Sequence, residues 1–151
     1  MTAGYSGTPL AKKLGIKPGS KLFPVAAPGH YDELLAPLPE GVKRVRKIDE
    51  ADVAHIFVTA RTRLDKELRA ALPKMKQDAA IWVSWPKKSA KVATDITEDT
   101  VREVALPLGL VDIKVCAVDE IWSGLKLVIR KELRNTPARS RSLYGDRKSV
   151  V

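Results

Sequence analysis

The sequence predicts an α/β domain: a three-layer sandwich whose mostly parallel sheet closes on a C-terminal antiparallel hairpin. Three observations predict it. Residues 54–58 and 79–85 are nearly continuous apolar runs, as expected of strands covered on both faces. Between and after them lie helical stripes, with Leu64, Leu68, Ala71 and Leu72 on one and Val101, Val104, Ala105 and Leu108 on the other. Finally, only about six residues separate the last two apolar segments, 111–118 and 125–129, too few for a parallel crossover.

Each element has local support. Thr8 and Pro9 suit the cap and first position of a short helix that Gly15 stops. Residues 21–27 read as a strand interrupted at Pro24, which donates no ladder hydrogen bond. Residues 31–36 form a short helix, closed by Pro37, Pro39 and Gly41. The charged stretch 42–46 suits an edge strand. Thr97 caps the helix that carries Glu98 and Asp99 in its first turn, where the helix dipole favours acids. Strands alternating with helices make the whole Rossmann-like.

The chain has 151 residues, a length typical of one domain, and the elements fill 1–133. Lys and Arg number 27 against 18 Asp and Glu, a net of +9. Residues 130–151 hold seven bases (Arg130, Lys131, Arg134, Arg139, Arg141, Arg147, Lys148) and two acids (Glu132, Asp146). Residues 134–151 are therefore read as a basic tail, a solvated segment or a weak electrostatic contact for nucleic acid. No apolar run approaches the roughly 20 residues a membrane helix needs, and the first thirteen residues lack a secretory core. The single Cys116 cannot form an internal disulfide, and a reducing, cytoplasmic setting is expected.

In open parallel sheets, ligands gather outside the carboxyl ends of the strands. That rule nominates His30 after the first strand, Arg61 and Arg63 after the third, Trp85, Lys87, Lys88 and Ser89 after the fourth, and Asp119 and Glu120 after the fifth. The two ammonium groups, the hydroxyl and a flat indole in 85–89 suit an anionic ligand such as a phosphate. The bland alternative is a solvated loop with Trp85 filling the core edge. His30 is either a general base or a solvent-exposed histidine at a helix start. Asp119 and Glu120 are either an acid/base pair or hairpin-turn acids. His55 lies inside an apolar run and reads as a satisfied core histidine, and Cys116 as an inert buried thiol. Two histidines and one cysteine far apart give no metal-ligand spacing, so no metal is expected.

Residues 51–131 resemble the C-terminal half of the class I methyltransferase fold. The place of that family's glycine-rich cofactor loop reads Ala27-Pro28-Gly29-His30-Tyr31, with a single glycine, and Asp49 or Glu50 stands where an acid could hold a ribose. A closer resemblance covers 3–133. Gly4-Tyr5-Ser6-Gly7-Thr8-Pro9-Leu10-Ala11-Lys12-Lys13-Leu14-Gly15-Ile16-Lys17, Trp85-Pro86-Lys87-Lys88-Ser89 and Val118-Asp119-Glu120-Ile121-Trp122-Ser123-Gly124-Leu125-Lys126 are similar to the bacterial DUF3052 family, a domain of unknown function. It implies a bacterial cytoplasmic protein and no particular chemistry or cofactor. With no nucleophile, base and orienter set legible, the expected function is non-catalytic binding or regulation, an anionic small molecule or phosphate being held at the strand-end rim. The alternative is a degenerate methyltransferase-like or nucleotide-dependent enzyme using His30, Asp119 or Glu120. Nucleic-acid binding through the tail is the third reading.

Overall fold

A computed structural model describes residues 8–134. The elements are α1 (Leu10–Lys13), β1 (Lys21–Val25), α2 (Tyr31–Leu35), β2 (Lys43–Arg44), β3 (Val53–Phe57), α3 (Arg61–Ala71), β4 (Ala80–Pro86), α4 (Glu98–Ala105), β5 (Leu110–Ala117) and β6 (Trp122–Ile129). Short 3₁₀ turns link several of them. The six strands form one sheet in the order β2-β1-β3-β4-β6-β5. β1 pairs in parallel with β2 and β3, and β3 with β4, while β6 runs antiparallel to both β4 and β5. The predicted α/β sandwich, mostly parallel with a closing hairpin, is the observed one.

The hairpin differs in one respect from an added antiparallel edge. β6 turns back and inserts beside β4, leaving β5 at the edge. β6 also begins at Trp122, three residues before the predicted start, because Trp122, Ser123 and Gly124 continue the ladder opposite Pro86, Trp85 and Ser84. Pro24 needs no bulge: β2 pairs only with Lys21 and Leu22, so nothing on that side calls for the missing N–H. At α1, Pro9 rather than Thr8 takes the N-cap position, and no side chain caps it. α4 starts as expected, with a reciprocal capping box between Thr97 and Thr100.

Helices cover both faces. On one, α3 and α4 deliver Leu64, Leu68, Val101 and Val104 onto Ile56, Ile81, Val83, Trp85 and Leu125. On the other, α1 and α2 deliver Leu10, Leu14, Tyr31 and Leu35 onto Leu22, Phe57 and Trp82. The alternation of β4 sends Trp82 to one core and Trp85 to the other. Trp82 is fully buried and donates its indole N–H to the Leu14 carbonyl at 2.9 Å, tying the end of α1 to the middle of the sheet.

Gly124 leaves room for that indole. A Cβ there would stand 3.2 Å from Trp82 Cε3, 3.3 Å from Val118 Cγ2 and 3.4 Å from Cys116 Sγ. None of these neighbours is the free end of a flexible chain. Gly124→Ala is expected to cost about 1 kcal/mol by overpacking, read as a lower urea midpoint at unchanged slope. Among the described residues, no helix is long and apolar enough to cross a membrane.

Candidate functional site

The parallel strands β1, β3 and β4 all end on one side of the sheet. β1 lies between β2 and β3, so the chain reverses direction across the sheet at β1, and such a switch point opens a crevice between neighbouring strand ends. The loop leaving β1 runs through Ala26, held at φ 56°, and Pro28 to His30. The β5–β6 turn, residues 118–121, comes to the same side, because β6 starts opposite the end of β4. The Lys87 amide donates to the Ile121 carbonyl at 2.7 Å and fastens that turn to the end of β4.

These two loops bring His30 and Asp119 together. His30 Nε2 lies 3.0 Å from Asp119 Oδ2, across 89 residues of sequence. The other carboxylate oxygen, Oδ1, accepts the amide N–H groups of Ile121 at 2.8 Å and Trp122 at 2.7 Å. Asp119 is thus locked as an acceptor with its side chain 12% exposed, while the His30 side chain is 45% exposed. A carboxylate can only accept, so Nε2 carries the ring proton in the neutral imidazole and Nδ1 presents the lone pair. The result is an accessible base oriented by a shielded carboxylate.

The scaffold holds both partners from behind. Tyr31, the next residue after His30, is buried, and its hydroxyl is hydrogen-bonded to His55 Nδ1 at 2.8 Å. His55 Nε2 is in turn 2.7 Å from Ser84 Oγ. Burial pushes the His55 imidazole down to about 3, so it is neutral, one ring nitrogen donating and the other accepting. Burial likewise pushes the Tyr31 phenol up. His55 is therefore the satisfied core histidine its apolar context predicts. Its ring stacks on Phe57 at 4.2 Å, and Phe57 meets Trp122 edge-on at 5.0 Å, three residues beyond Asp119. Packing of this kind keeps a pair of side chains in one geometry.

The other nominated residues do not join the pair. Arg61 ion-pairs with Glu103 of α4 at 2.8 Å, and Arg63 with Glu67 one turn along α3 at 2.7 Å. Both were expected to face a ligand, but as helix residues they point along and between α3 and α4. Trp85 is buried in the core beneath α3 and α4, so the stacking platform expected of it is absent. Lys88 and Ser89 sit exposed in a short turn, with Lys87 half-buried beside them, and Glu120 is exposed in the hairpin turn. The following loop returns over the end of β3. Thr94 Oγ1 donates to the Thr59 carbonyl at 2.7 Å, and Asp95 accepts the Arg61 amide at 2.7 Å, capping α3 rather than the α4 that it precedes. Tail residues 135–151 lie outside the described residues.

A larger hollow lies apart from the rim. A groove of about 630 Å³ runs over β1 between α3 and the 46–49 crossover, with Phe23, Val25, Ile48, Ile56 and Asp49 among its lining. No helix covers β1 on this face, because the chain passes from β2 to β3 through a single 3₁₀ turn.

No family model matches the chain, including any for the DUF3052 resemblance, and no curated protein matches it. Among solved structures it is similar to a SAM-dependent methyltransferase from Aquifex aeolicus, at 15% identity and TM-score 0.49 over 80% of this chain and 87% of that one. It is similar to the B. subtilis tRNA methyltransferase TrmK at 10% identity and TM-score 0.49, over 85% of this chain and 68% of that one. The LepI complex with SAM matches at 15% identity and TM-score 0.48 over 80% of this chain; the chain spans 39% of LepI and 57% of another match, MtNAS. The expectation of a non-catalytic anion-binding protein is corrected here. The rim itself carries the correction: its arginines are spent on helix carboxylates, and what converges there is an imidazole with a carboxylate. The nucleoside cofactor of such folds has no glycine-lined cradle in this chain. Ala26 holds the left-handed position, Pro28 offers no N–H, and the backbone cannot close on a ligand as a glycine-rich loop does.

Proposed function

We propose that the chain is an enzyme of methyltransferase-like architecture, in which His30 and Asp119 form an acid/base pair acting on a small-molecule substrate. The observation that carries this reading is the 3.0 Å contact between a partly exposed imidazole and a carboxylate anchored by two backbone amides. In that arrangement Nδ1 of His30 removes a proton from a substrate hydroxyl or amine. Asp119 stabilises the imidazolium that results and fixes its orientation. We also infer, from the three quoted motifs alone, membership of the bacterial DUF3052 family, and, from the single cysteine, a reducing cytoplasmic setting.

The test is conversion of a cell-extract small-molecule pool by the full chain, followed by mass spectrometry, alongside His30→Gln and Asp119→Asn. A compound consumed by the wild-type chain and spared by both variants is the expected result. Both substitutions fall outside the two cores, so their melting temperatures are expected to stay near wild type. Equal turnover by all three proteins would remove the pair from the chemistry.

A further inference from the structure

The face of the β5–β6 ribbon beside α1 holds lysines where the fold alone would not choose them. Lys114 of β5 and Lys126 of β6 are directly opposite each other in the ladder. Like charges in that relation destabilise a sheet. A register shift between Asp112 and Lys114 creates the pairing: in an uninterrupted ladder Ile113, not Lys114, would face Lys126. The bulge therefore leaves an isoleucine 56% exposed and sets two ammonium groups against each other, two unfavourable outcomes in one place. Lys126 is also half-buried, its Nζ close beside Gly15 at the end of α1. Burial, with Lys114 and Lys17 nearby, holds that ammonium below the ordinary lysine range.

One hollow lies on this face and a second at its border, by the starts of β3 and β4. One, of about 530 Å³, is lined by Thr8, Lys12, Lys13, Lys114, Val115 and Cys116. The second, of about 430 Å³, is lined by Lys17, Lys126 and the Gly15 backbone, with Asp52 and Asp78 among its walls. Asp52 is already engaged by Lys76 and the Lys21 amide. No carboxylate forms an ion pair with Lys12, Lys17, Lys114 or Lys126 among the described residues.

We propose that the face formed by α1, β5 and β6 binds the phosphodiester backbone of a nucleic acid, through Lys12, Lys13, Lys17, Lys114 and Lys126. Charge decides the occupant. Residues 1–7 contain no acid, and residues 135–151 contain one acid against four bases, so neither end of the chain complements the face. A second copy brings a net of +9. Lys12, Lys13 and Lys114 line one hollow, and Lys126, the ladder partner of Lys114, borders the other; lysines spread in this way suit successive phosphates of a chain better than one small anion. Lysines act as point charges without the fork geometry of arginine, so the contact is independent of base sequence. The proposal uses neither member of the rim pair and does not depend on the reading given to it.

The experiment is fluorescence anisotropy of the full chain with a labelled 30-nucleotide RNA between 50 and 200 mM KCl. Binding is expected to weaken steeply with salt. Lys114→Gln/Lys126→Gln is expected to lower affinity by about tenfold or more and to flatten the log–log salt slope by roughly 1.4, at about 0.7 per lysine on a single strand. Its melting temperature is expected to hold or rise, since a repulsion is removed, which separates lost binding from lost folding. Lys114→Arg/Lys126→Arg and His30→Gln should both bind as wild type. Unchanged affinity and slope in the glutamine variant would overturn the proposal and point to the basic tail. Displacement of the RNA by sodium pyrophosphate at matched phosphate concentration would overturn it in favour of a small-anion site.

Discussion

Acidification from pH 7 to pH 3.5 is expected to remove about 4 kcal/mol of folding stability through His55 alone, at roughly 1.4 kcal/mol per unit of pKa displacement. The unfolded imidazole takes up a proton below about 6.5, whereas the buried one resists protonation down to about 3. The unfolded chain therefore binds more protons throughout that interval. Stability is fully present above the unfolded value and drains as pH falls toward the folded one. His55→Gln supplies a donor and an acceptor to Tyr31 and Ser84 without titrating. Urea denaturation at half-unit steps should show a slope in the wild type that is absent in this variant. Asp112, held down by its hydrogen bond to Arg102, adds its own loss only as pH falls into and below the ordinary carboxylate range, so the slope between about pH 6.5 and 5 belongs to His55. Parallel stability curves for wild type and variant would refute the assignment.

Trp82→Ala is expected to cost 3–5 kcal/mol, roughly the range for removing a fully buried aromatic side chain. The indole fills the core beneath α1 and is also the donor to the Leu14 carbonyl. Trp82→Phe separates the two roles. It keeps most of the apolar contact but strands that carbonyl, and a loss of about 1–3 kcal/mol is expected. Equilibrium unfolding in urea reads both. A phenylalanine variant as stable as wild type would show that the hydrogen bond adds nothing net.

The architecture was legible because each β-segment and helix announces itself locally. β3 and β4 are buried throughout and apolar but for His55 and Ser84, and Thr97 and Gly109 bracket α4 and its final turn. The parts that were not legible depend on register. Ser84, His55 and Tyr31 are separated by 29 and 24 residues, and only the sheet brings them into a hydrogen-bonded row. His30 and Asp119 were each nominated by the strand-end rule, yet nothing in their spacing of 89 residues marks them as partners. The Arg63–Glu67 pair could have been read directly, as four residues along a helix is neighbourly spacing. That reading would have removed Arg63 from the rim. Arg61–Glu103 spans 42 residues and needed α3 packed beside α4. The cationic ribbon face escaped notice because a one-residue bulge decides which side chain opposes Lys126, and bulges leave no mark on apolar periodicity.

β4 is a partition with a chromophore on either side. Trp82 emits from the layer under α1 and α2, and Trp85 from the layer under α3 and α4, three residues away on the same strand. In a Trp122→Phe background, which removes the third tryptophan, replacing one or the other leaves an optical reporter private to one half of the interior. If the halves melt as one cooperative unit, the two signals trace a single transition; if one half loosens first, its indole reddens while the other stays blue.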